Sequence, residues 1–300
     1  MIKVLLITVF ICSSLALHAE KDCSKMSCTA EEWEDTVRNR PASKDKENYR
    51  VYNENTPEHV KNFYRLNHKH QTLDFVLQKK QEYLSLNRGT FDIWEAIDLF
   101  DQIIDESDPD LDLPQRYHLF QTAEMLRKDG YPRWLILTGL IHDLGKILTL
   151  YGEPQWAVVG DTFPVGCAFS SKIVFPEYFA ENPDAANPLY QSKYGIYSPG
   201  CGLDNVHMSW GHDEYLYYVL KDYLPKEALF IVRYHSFYSA HREGEYEHLM
   251  NEQDKEMLPW LQIFSRYDLY SKSPEKIDIE KLAPYYKDLV AEFLPNKLSW

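Results

Sequence analysis

The sequence predicts an all-α protein, a helical bundle interrupted by one long irregular insertion. Apolar residues recur at helical spacing over most of the chain from about Asn48 onward. The run 134–148 is apolar on nearly every face, as expected of a central, buried helix. The segment 151–204 is rich in Gly, Pro and Asn, which predicts loops with room for a short hairpin at most.

The predicted helices follow one another in a simple order. Apolar residues at helical spacing mark the first two, and the acidic stretch "DESDPDLDLP" (105–114) then breaks the pattern. A helix begins at Pro114 and ends at the Asp129-Gly130 pair, since proline favours the first turn of a helix and glycine its end. The buried helix begins at Pro132. The remaining helical segments are 55–83, 91–104, 210–223, 225–238 and 257–271.

Three regions organise the 300 residues. Residues 1–19 form an apolar segment with a lysine near its start and small residues near its end, which is typical of a secretory signal peptide. An apolar extension or a mis-assigned start site is the alternative interpretation. Residues 20–48 are charged and weakly patterned, so we expect a flexible region, and 49–300 is predicted to be a single domain. Outside the leader, four cysteines (Cys23, Cys28, Cys167 and Cys201) do not decide between a secreted and a cytosolic protein.

The net charge restricts the partners. A formal charge of −14 and a pI near 5.2 argue against a nucleic-acid or anionic membrane surface. Lys and Arg are scattered and form no basic stripe. We therefore expect a small, neutral or weakly charged substrate, and no nucleic-acid or membrane partner.

Several ionisable side chains fall on the apolar faces of the predicted helices. His235 follows Ile231, and Asp268 follows Phe264, by the four positions that put both on one face of a helix. Taken singly, a buried His is most often a hydrogen-bonded core residue and a buried Asp a helix cap or half of an ion pair. The full set is His118, His142, Asp143, His212, His235 and Asp268.

These six side chains together predict a metal centre. The faces that carry them hold almost no Lys or Arg, and a buried carboxylate needs a cation. Two metal ions account for all six, with imidazole and carboxylate ligands suited to iron or manganese; ligand type alone leaves zinc open. Other histidines compete weakly for this role or are expected at the surface. The weak competitors are His207, His241 and His248, and the expected surface residues are His59, His68 and His70.

Longer motifs add a family resemblance. A His on one helix, a His-Asp doublet on the next and a later Asp form the HD-domain pattern. In addition, a series of motifs spread over roughly residues 45–300 resembles inositol oxygenase. They are "DESDPD" (105–110), "HLFQTAE" (118–124), "GLIHDLGK" (139–146), "GEPQWAVVGDTFPVGC" (152–167), "MSWGHDEYLYYVLK" (208–221), "YHSFYSAH" (234–241), "DKEMLPW" (254–260), "YDLYSK" (267–272) and the final "LSW".

The resemblance implies an HD-domain-like helical core and a di-iron centre, mixed-valent Fe(II)/Fe(III) in its active form, that uses O₂ to cleave myo-inositol to D-glucuronate. It assigns one iron to His118, His142, Asp143 and Asp268, and the second to His212 and His235. Asp143 would bridge the two and Lys146 would assist catalysis. The family is cytosolic and suggests a monomer, whereas the signal-like residues 1–19 point instead to the secretory pathway.

The resemblance also implies a set of substrate contacts that suit a polyol. Lys146 lies one helical turn beyond His142, so both project to one side. Carboxylates in an acidic loop can accept hydrogen bonds from several hydroxyls, although a solvated turn is the simpler interpretation of such a loop. The implied substrate-binding residues are Arg50, Asp105, Glu106, Ser107, Lys146, Gly160, Asp161, His235 and Ser236.

Two other functions remain possible at the sequence level. An HD-type phosphohydrolase would use the same metals to activate water against a phosphate ester, but it would need several cations around the substrate. A non-catalytic, metal-stabilised helical protein would leave "DESDPD" and "VVGDTF" without a role. Assays of phosphate release and O₂ uptake separate the three.

Overall fold

The fold was analysed in a computed structural model, which describes residues 29–31, 52–103, 105–107, 114–270 and 277–300. The signal-like segment 1–19, most of the region 20–48 and the predicted substrate contact Arg50 lie outside the described residues. Among the described residues, no helix combines the length and apolar character needed to cross a membrane.

Helices dominate the described structure, and the prediction of an all-α bundle is confirmed. Two short strands, β1 (Thr90–Phe91) and β2 (Leu298–Ser299), pair antiparallel. Short 3₁₀ helices lie between several of the α-helices. The α-helices are α1 (Glu58–His70), α2 (Leu73–Tyr83), α3 (Ile93–Phe100), α4 (Gln115–Lys128), α5 (Arg133–Ile141), α6 (His212–Leu220), α7 (Lys226–Tyr234), α8 (Tyr238–His241), α9 (Glu252–Tyr270) and α10 (Ile279–Phe293).

Local caps explain where the observed helices differ from the predicted segments. The segment 55–83 is two helices, because the Thr72 side chain accepts the Phe75 N–H and starts a new helix there. The third helix begins later than residue 91, because Asp92 and Glu95 form a capping box at its start. Pro114 and Pro132 precede α4 and α5 as predicted.

The central layer is the antiparallel pair α4 and α5. All residues of α5 from Trp134 to Ile141 are buried, which confirms the prediction of a central helix. The two helices approach closely at Gly139, where a Cβ atom would lie 3.1 Å from the backbone of Ala123. After Ile141 the chain tightens into a 3₁₀ helix (Leu144–Tyr151), so His142 and Asp143 lie at the junction between two kinds of helix.

The irregular insertion holds 3₁₀ helices and turns. The short hairpin that its sequence allowed does not form, since residues 151–204, all described, contain no strand. Instead, Val165 N–H donates to the His207 carbonyl at 2.8 Å, and an isolated bridge joins Pro164 to Met208. Prolines and glycines interrupt the extended stretches and prevent a continuous ladder from forming.

The C-terminal region contains a helix, α10, that the sequence patterns did not predict. It packs against α5, and its Tyr286 hydroxyl donates to Glu124 at 2.7 Å. After α10, β2 pairs with β1, and the buried Trp300 ring stacks on Phe91 with ring centroids 4.8 Å apart.

A glycine permits the backbone contact on which the site depends. Gly145 lies two residues after Asp143, and a Cβ atom at this position would be 2.1 Å from the His212 carbonyl oxygen. The absence of a side chain therefore lets the 3₁₀ helix that follows Asp143 lie directly against the start of α6.

We expect Gly145→Ala to lower the free energy of unfolding by about 3 kcal/mol, because overpacking against backbone forces a shift of one segment. It should also displace His212 and reduce bound metal. Urea denaturation and metal analysis of the purified variant provide the measurements.

Gly130→Ala is the matched control. Gly130 has a φ of +82°, but nothing lies within 4 Å of its added Cβ, so only the backbone preference is lost. That loss should cost about 1 kcal/mol and leave the metal content unchanged. Equal effects of the two substitutions would show that the contact at Gly145 is unimportant.

Candidate metal centre

Five structural elements bring the six predicted ligands together. His118 lies in the first turns of α4, and Asp268 in the last turn of α9. His212 is the first residue of α6, and His235 directly follows α7. His142 and Asp143 occupy the junction after α5. All six side chains are buried.

One group gathers around Asp268. The His118 Nε2 atom lies 2.9 Å from Asp268 Oδ1, and His142 Nε2 lies 3.4 Å from the same oxygen. Asp143 Oδ2 is 3.6 Å from His142 Nε2. The ligand atoms of His118, His142 and Asp143 lie within 4.8 Å of one another, close enough to hold one metal ion.

A second group shares Asp143. His212 Nε2 and His235 Nε2 are 3.2 Å apart, and Asp143 Oδ1 lies 3.3 and 3.5 Å from them. These three residues form the second set able to hold a metal ion. Asp143 therefore directs one oxygen to each group.

The protonation of the imidazoles tests whether a metal fits. The Nδ1 atoms of His142, His212 and His235 each lie within 3.0 Å of a backbone carbonyl, which can only accept, so each Nδ1 must donate. In the neutral rings, Nε2 is then a lone-pair acceptor. The buried His142 Nε2 has no hydrogen-bond partner. Nitrogen lone pairs and carboxylate oxygens thus face one another, and a metal cation satisfies them all.

The pKa shifts have the same origin. Burial acts to raise the pKa of Asp143, but the Lys146 ammonium and the neighbouring imidazoles outweigh it and hold the pKa well below its ordinary value. Burial acts to lower the pKa of His212, but Asp213 and Asp143 raise it to about 10. The Asp143 and Asp213 carboxylates therefore stabilise a positive charge at the Nε2 atom of His212, whether a proton or a metal ion carries it.

The predicted substrate contacts Lys146, Asp105 and Ser107 adjoin Asp143. The Lys146 ammonium donates at 2.8 Å to both Asp143 Oδ2 and Asp105 Oδ2. The other oxygen of Asp105 accepts the Ser107 N–H and hydroxyl, at 2.9 and 2.5 Å. Lys146 thus links Asp105 of the acidic loop to Asp143, which belongs to both groups of ligand atoms.

The loop of Gly160 and Asp161 meets the acidic loop. A Cβ atom on Gly160, whose φ is +85°, would lie 2.8 Å from the Phe63 ring and 3.6 Å from Ser107 Cβ. Glycine is required here by both backbone conformation and space. Asp161 accepts a hydrogen bond from the Tyr64 hydroxyl at 3.1 Å. Tyr52 links the two loops further, because its hydroxyl contacts Tyr64 at 3.1 Å and donates to the Ser107 carbonyl at 3.4 Å.

Ser236 and Asp213 lie beside the second group. Asp213 is not among the site residues predicted from the sequence. The Ser236 hydroxyl donates to Asp213 Oδ1 at 3.0 Å and lies 3.4 Å from His212 Nε2. Asp213 Oδ1 is itself 2.8 Å from His212 Nε2, so Asp213 belongs to the charged centre. Its position directly after a candidate ligand, in a second His-Asp doublet, is the signal that could have identified it.

The remaining residues considered in the sequence lie outside the two groups of ligand atoms. The Glu106 side chain is exposed, and its backbone N–H faces Gln155 at 3.5 Å. The expectation of a surface position holds for His59 and His70 but is wrong for His68. The insertion covers this face of α1, so the His68 ring stacks on Phe179 at 4.1 Å. His241 is buried and contacts the His235 carbonyl at 2.9 Å, but it is not in either metal-holding group.

Comparison with known proteins identifies the family of this chain. The model of the myo-inositol oxygenase family matches residues 57–300. Inositol oxygenase 1 of Arabidopsis thaliana is 58% identical over 249 residues, which cover 80% of each chain. The inositol oxygenase of Danio rerio is 50% identical over 263 residues, 86% of this chain and 95% of that protein. That of Mus musculus is 51% identical over 242 residues, 79% and 85% of the two chains.

The family model extends over every described element of the site from Tyr64 to Asp268, and the relatives match most of the chain at half identity or more. The chain therefore belongs to the myo-inositol oxygenase family.

Proposed function

We propose that this protein is an inositol oxygenase that cleaves the ring of myo-inositol with O₂ to give D-glucuronate, using two iron ions. Family membership supports the activity. The observation that carries the two-metal centre is the position of Asp143, which directs one oxygen toward His142 and the other toward the His212–His235 pair. The acceptor-only arrangement of these atoms supports cations on both sides of it.

The distances suggest how the ligands divide. His118, His142 and Asp268 would hold the first iron and His212 and His235 the second, with Asp143 contributing to both sets. The carbonyl bonds to Nδ1 support this division, since they fix three of the four rings with Nε2 toward the centre. A mixed-valent Fe(II)/Fe(III) pair is the proposed active form.

In the proposed reaction one O₂ is consumed, one ring C–C bond breaks, and the two carbons become a carboxylate and an aldehyde, with release of one water and one proton. When bound, the irons would supply a Lewis acid that lowers the pKa of a coordinated hydroxyl, together with the redox chemistry that O₂ requires. The substrate is neutral, so its recognition depends on hydrogen bonds from this chain's own side chains.

Lys146 orients the substrate beside Asp143. Its ammonium has three donors, of which Asp143 and Asp105 accept two, so one remains to donate to a substrate hydroxyl. Burial of Lys146 acts to lower its pKa, but Asp105 and Asp143 outweigh this and raise the pKa, so the group stays protonated at neutral pH. An ammonium that donates to an alkoxide oxygen would stabilise the deprotonated substrate.

The remaining contacts complete a polar cradle. Asp105 and Asp161 accept hydrogen bonds from hydroxyls, while Ser236 and the backbone at Gly160 contribute further polar groups. Tyr64 holds Asp161, and the Phe63 ring lies against Gly160, which excludes water from this side of the site. Arg50, which lies outside the described residues, and Glu106 are proposed as further substrate contacts.

A phosphohydrolase is not favoured by the charges of this site. A phosphate ester needs several cations around it. In the described centre the Lys146 ammonium is instead paired with the carboxylates of Asp105 and Asp143, which would repel a phosphate. Asp213 and Asp268 add negative charge beside His212 and His142.

We further propose that the protein acts as a monomer in the cytoplasm, as a single domain over residues 49–300. The cysteines of the described part, Cys167 and Cys201, are free thiols, which supports a reducing compartment. A fluorescent fusion that enters the secretory pathway would contradict this location and would show that residues 1–19 act as a signal.

O₂ consumption tests the proposed function. The purified protein, loaded with iron and partly reduced, should consume O₂ only when myo-inositol is present, with one glucuronate formed for each O₂. A protein that holds about two irons per chain but consumes no O₂ with myo-inositol would refute the oxygenase assignment. Release of phosphate from esters would then support the hydrolase.

Two variants should separate metal binding from substrate binding. Asp143→Asn removes the shared negative charge, so we expect loss of iron at both positions and of all turnover.

Lys146→Ala should keep both irons and lower kcat/KM for myo-inositol by about 100-fold, the size typical of a lost transition-state donor. Iron analysis and O₂ uptake measure the two effects. Asp143→Asn with two irons and normal turnover would refute the bridging role.

A further inference from the structure

A buried ion pair joins the two helices that carry the second group of ligands. Arg233 donates through Nε to Glu214 Oε2 at 2.6 Å and through Nη2 to Oε1 at 3.1 Å. The side chains of Arg233 and Glu214 are only 5% and 2% exposed. A bidentate, desolvated pair of this kind is strong and sets both distance and orientation.

Helices α6 and α7 form a helical hairpin, and the ion pair joins the start of α6 to the end of α7. His212 and His235 lie at this same end of the hairpin. Glu214 is two residues after His212, and Arg233 is two residues before His235. Residues two apart in a helix lie on different faces. The ion pair therefore connects α6 to α7 on one face, and the His212 and His235 rings meet on another. The His212 and His235 Nε2 atoms are 3.2 Å apart at the same end.

We propose that the Arg233–Glu214 pair is a positioning device for the second metal position, which sets the separation of His212 and His235. The inference rests on the proposed two-metal site and assigns a role to residues outside the ligand set. Neither side chain is bonded to a candidate ligand; both act through the backbone of α6 and α7.

The surroundings of the pair restrict its geometry further. Lys80 of α2 lies 2.7 Å from Glu214 Oε1, and Asp204 accepts the Arg233 Nη1 at 2.7 Å. The Arg233 guanidinium also lies 4.3 Å from the centre of the Tyr217 ring, which holds its plane. Since three groups fix the guanidinium, it cannot rotate to follow a shift of α6 relative to α7.

A second contact spans the same two segments and offers the competing explanation. Ser236 donates to Asp213 through both its N–H and its hydroxyl, at 3.1 and 3.0 Å. If these bonds alone position the imidazoles, removal of the ion pair would destabilise the fold without a specific effect on metal. The two explanations therefore differ in whether the affinity of the second metal position falls selectively.

The test is anaerobic titration of the purified full chain with Fe(II) against a competing chelator. Arg233→Met should weaken the second iron about 10-fold or more, the loss typical of a supporting residue around a metal site, and leave the first iron unchanged. A His235→Ala variant, which loses a second-position ligand, provides the reference curve. Arg233→Lys keeps the charge but loses the planar fork, so an intermediate weakening is expected.

Arg127→Met is the matched control. Arg127 makes a similar bidentate pair with Glu124, at 2.6 and 2.7 Å, but both residues lie within α4 and do not connect the metal-bearing hairpin. This variant should lose thermal stability and keep both iron affinities. Circular dichroism at the titration temperature confirms that each variant is folded.

Removal of one member of a buried pair can prevent folding, so a neutral double variant accompanies the single one. Arg233→Met with Glu214→Leu leaves no unpaired charge from the pair and should still weaken the second iron. Unchanged affinity at both positions, or an equal loss at both, in a folded variant would overturn the proposal. A wild-type protein that binds fewer than two irons would instead refute the proposed function.

Discussion

The shared carboxylate of Asp143 is the interaction on which the rest of the site depends. It is buried among imidazoles from three segments, and each of its oxygens faces a different group of ligand atoms. Such a carboxylate cannot remain ionised in an apolar interior without compensating cations. Lys146 provides part of that compensation, and the proposed metal ions would provide the rest. Asp143 thus lies between the Lys146 ammonium and the two groups of imidazoles.

Close contacts between backbone segments position the Asp143 carboxylate and the imidazoles around it. The change from α5 to a 3₁₀ helix turns His142 and Asp143 out of the regular helix, and Gly145 lets the next turn rest on the His212 carbonyl. The carbonyls of Gly139, Val158 and Val232 then orient three rings by their Nδ1 atoms. Backbone atoms thus orient three of the four imidazole rings.

The sequence predicted which buried charged side chains come together better than it predicted their surroundings. His142, Asp143 and Asp268 could be recognised because charge on an apolar face has few physical explanations. The contact of Tyr64 with Asp161 joins residues 97 positions apart, and no periodic pattern records such a distance. The predicted surface position of His68 is wrong because helical spacing does not reveal that the insertion packs on that face of α1. The helix α10 was likewise missed.

The contact between His118 and Asp268 closes a separation of 150 residues in the chain. During synthesis the ribosome releases His118, His142 and Asp143 well before Asp268 exists, so the nascent chain presents an incomplete set of ligands. Loop closure over such a distance is a late event in folding, because it must wait for the helices between to assemble. The proposed iron centre can therefore be completed only after Asp268 has been synthesised and the C-terminal helices have packed.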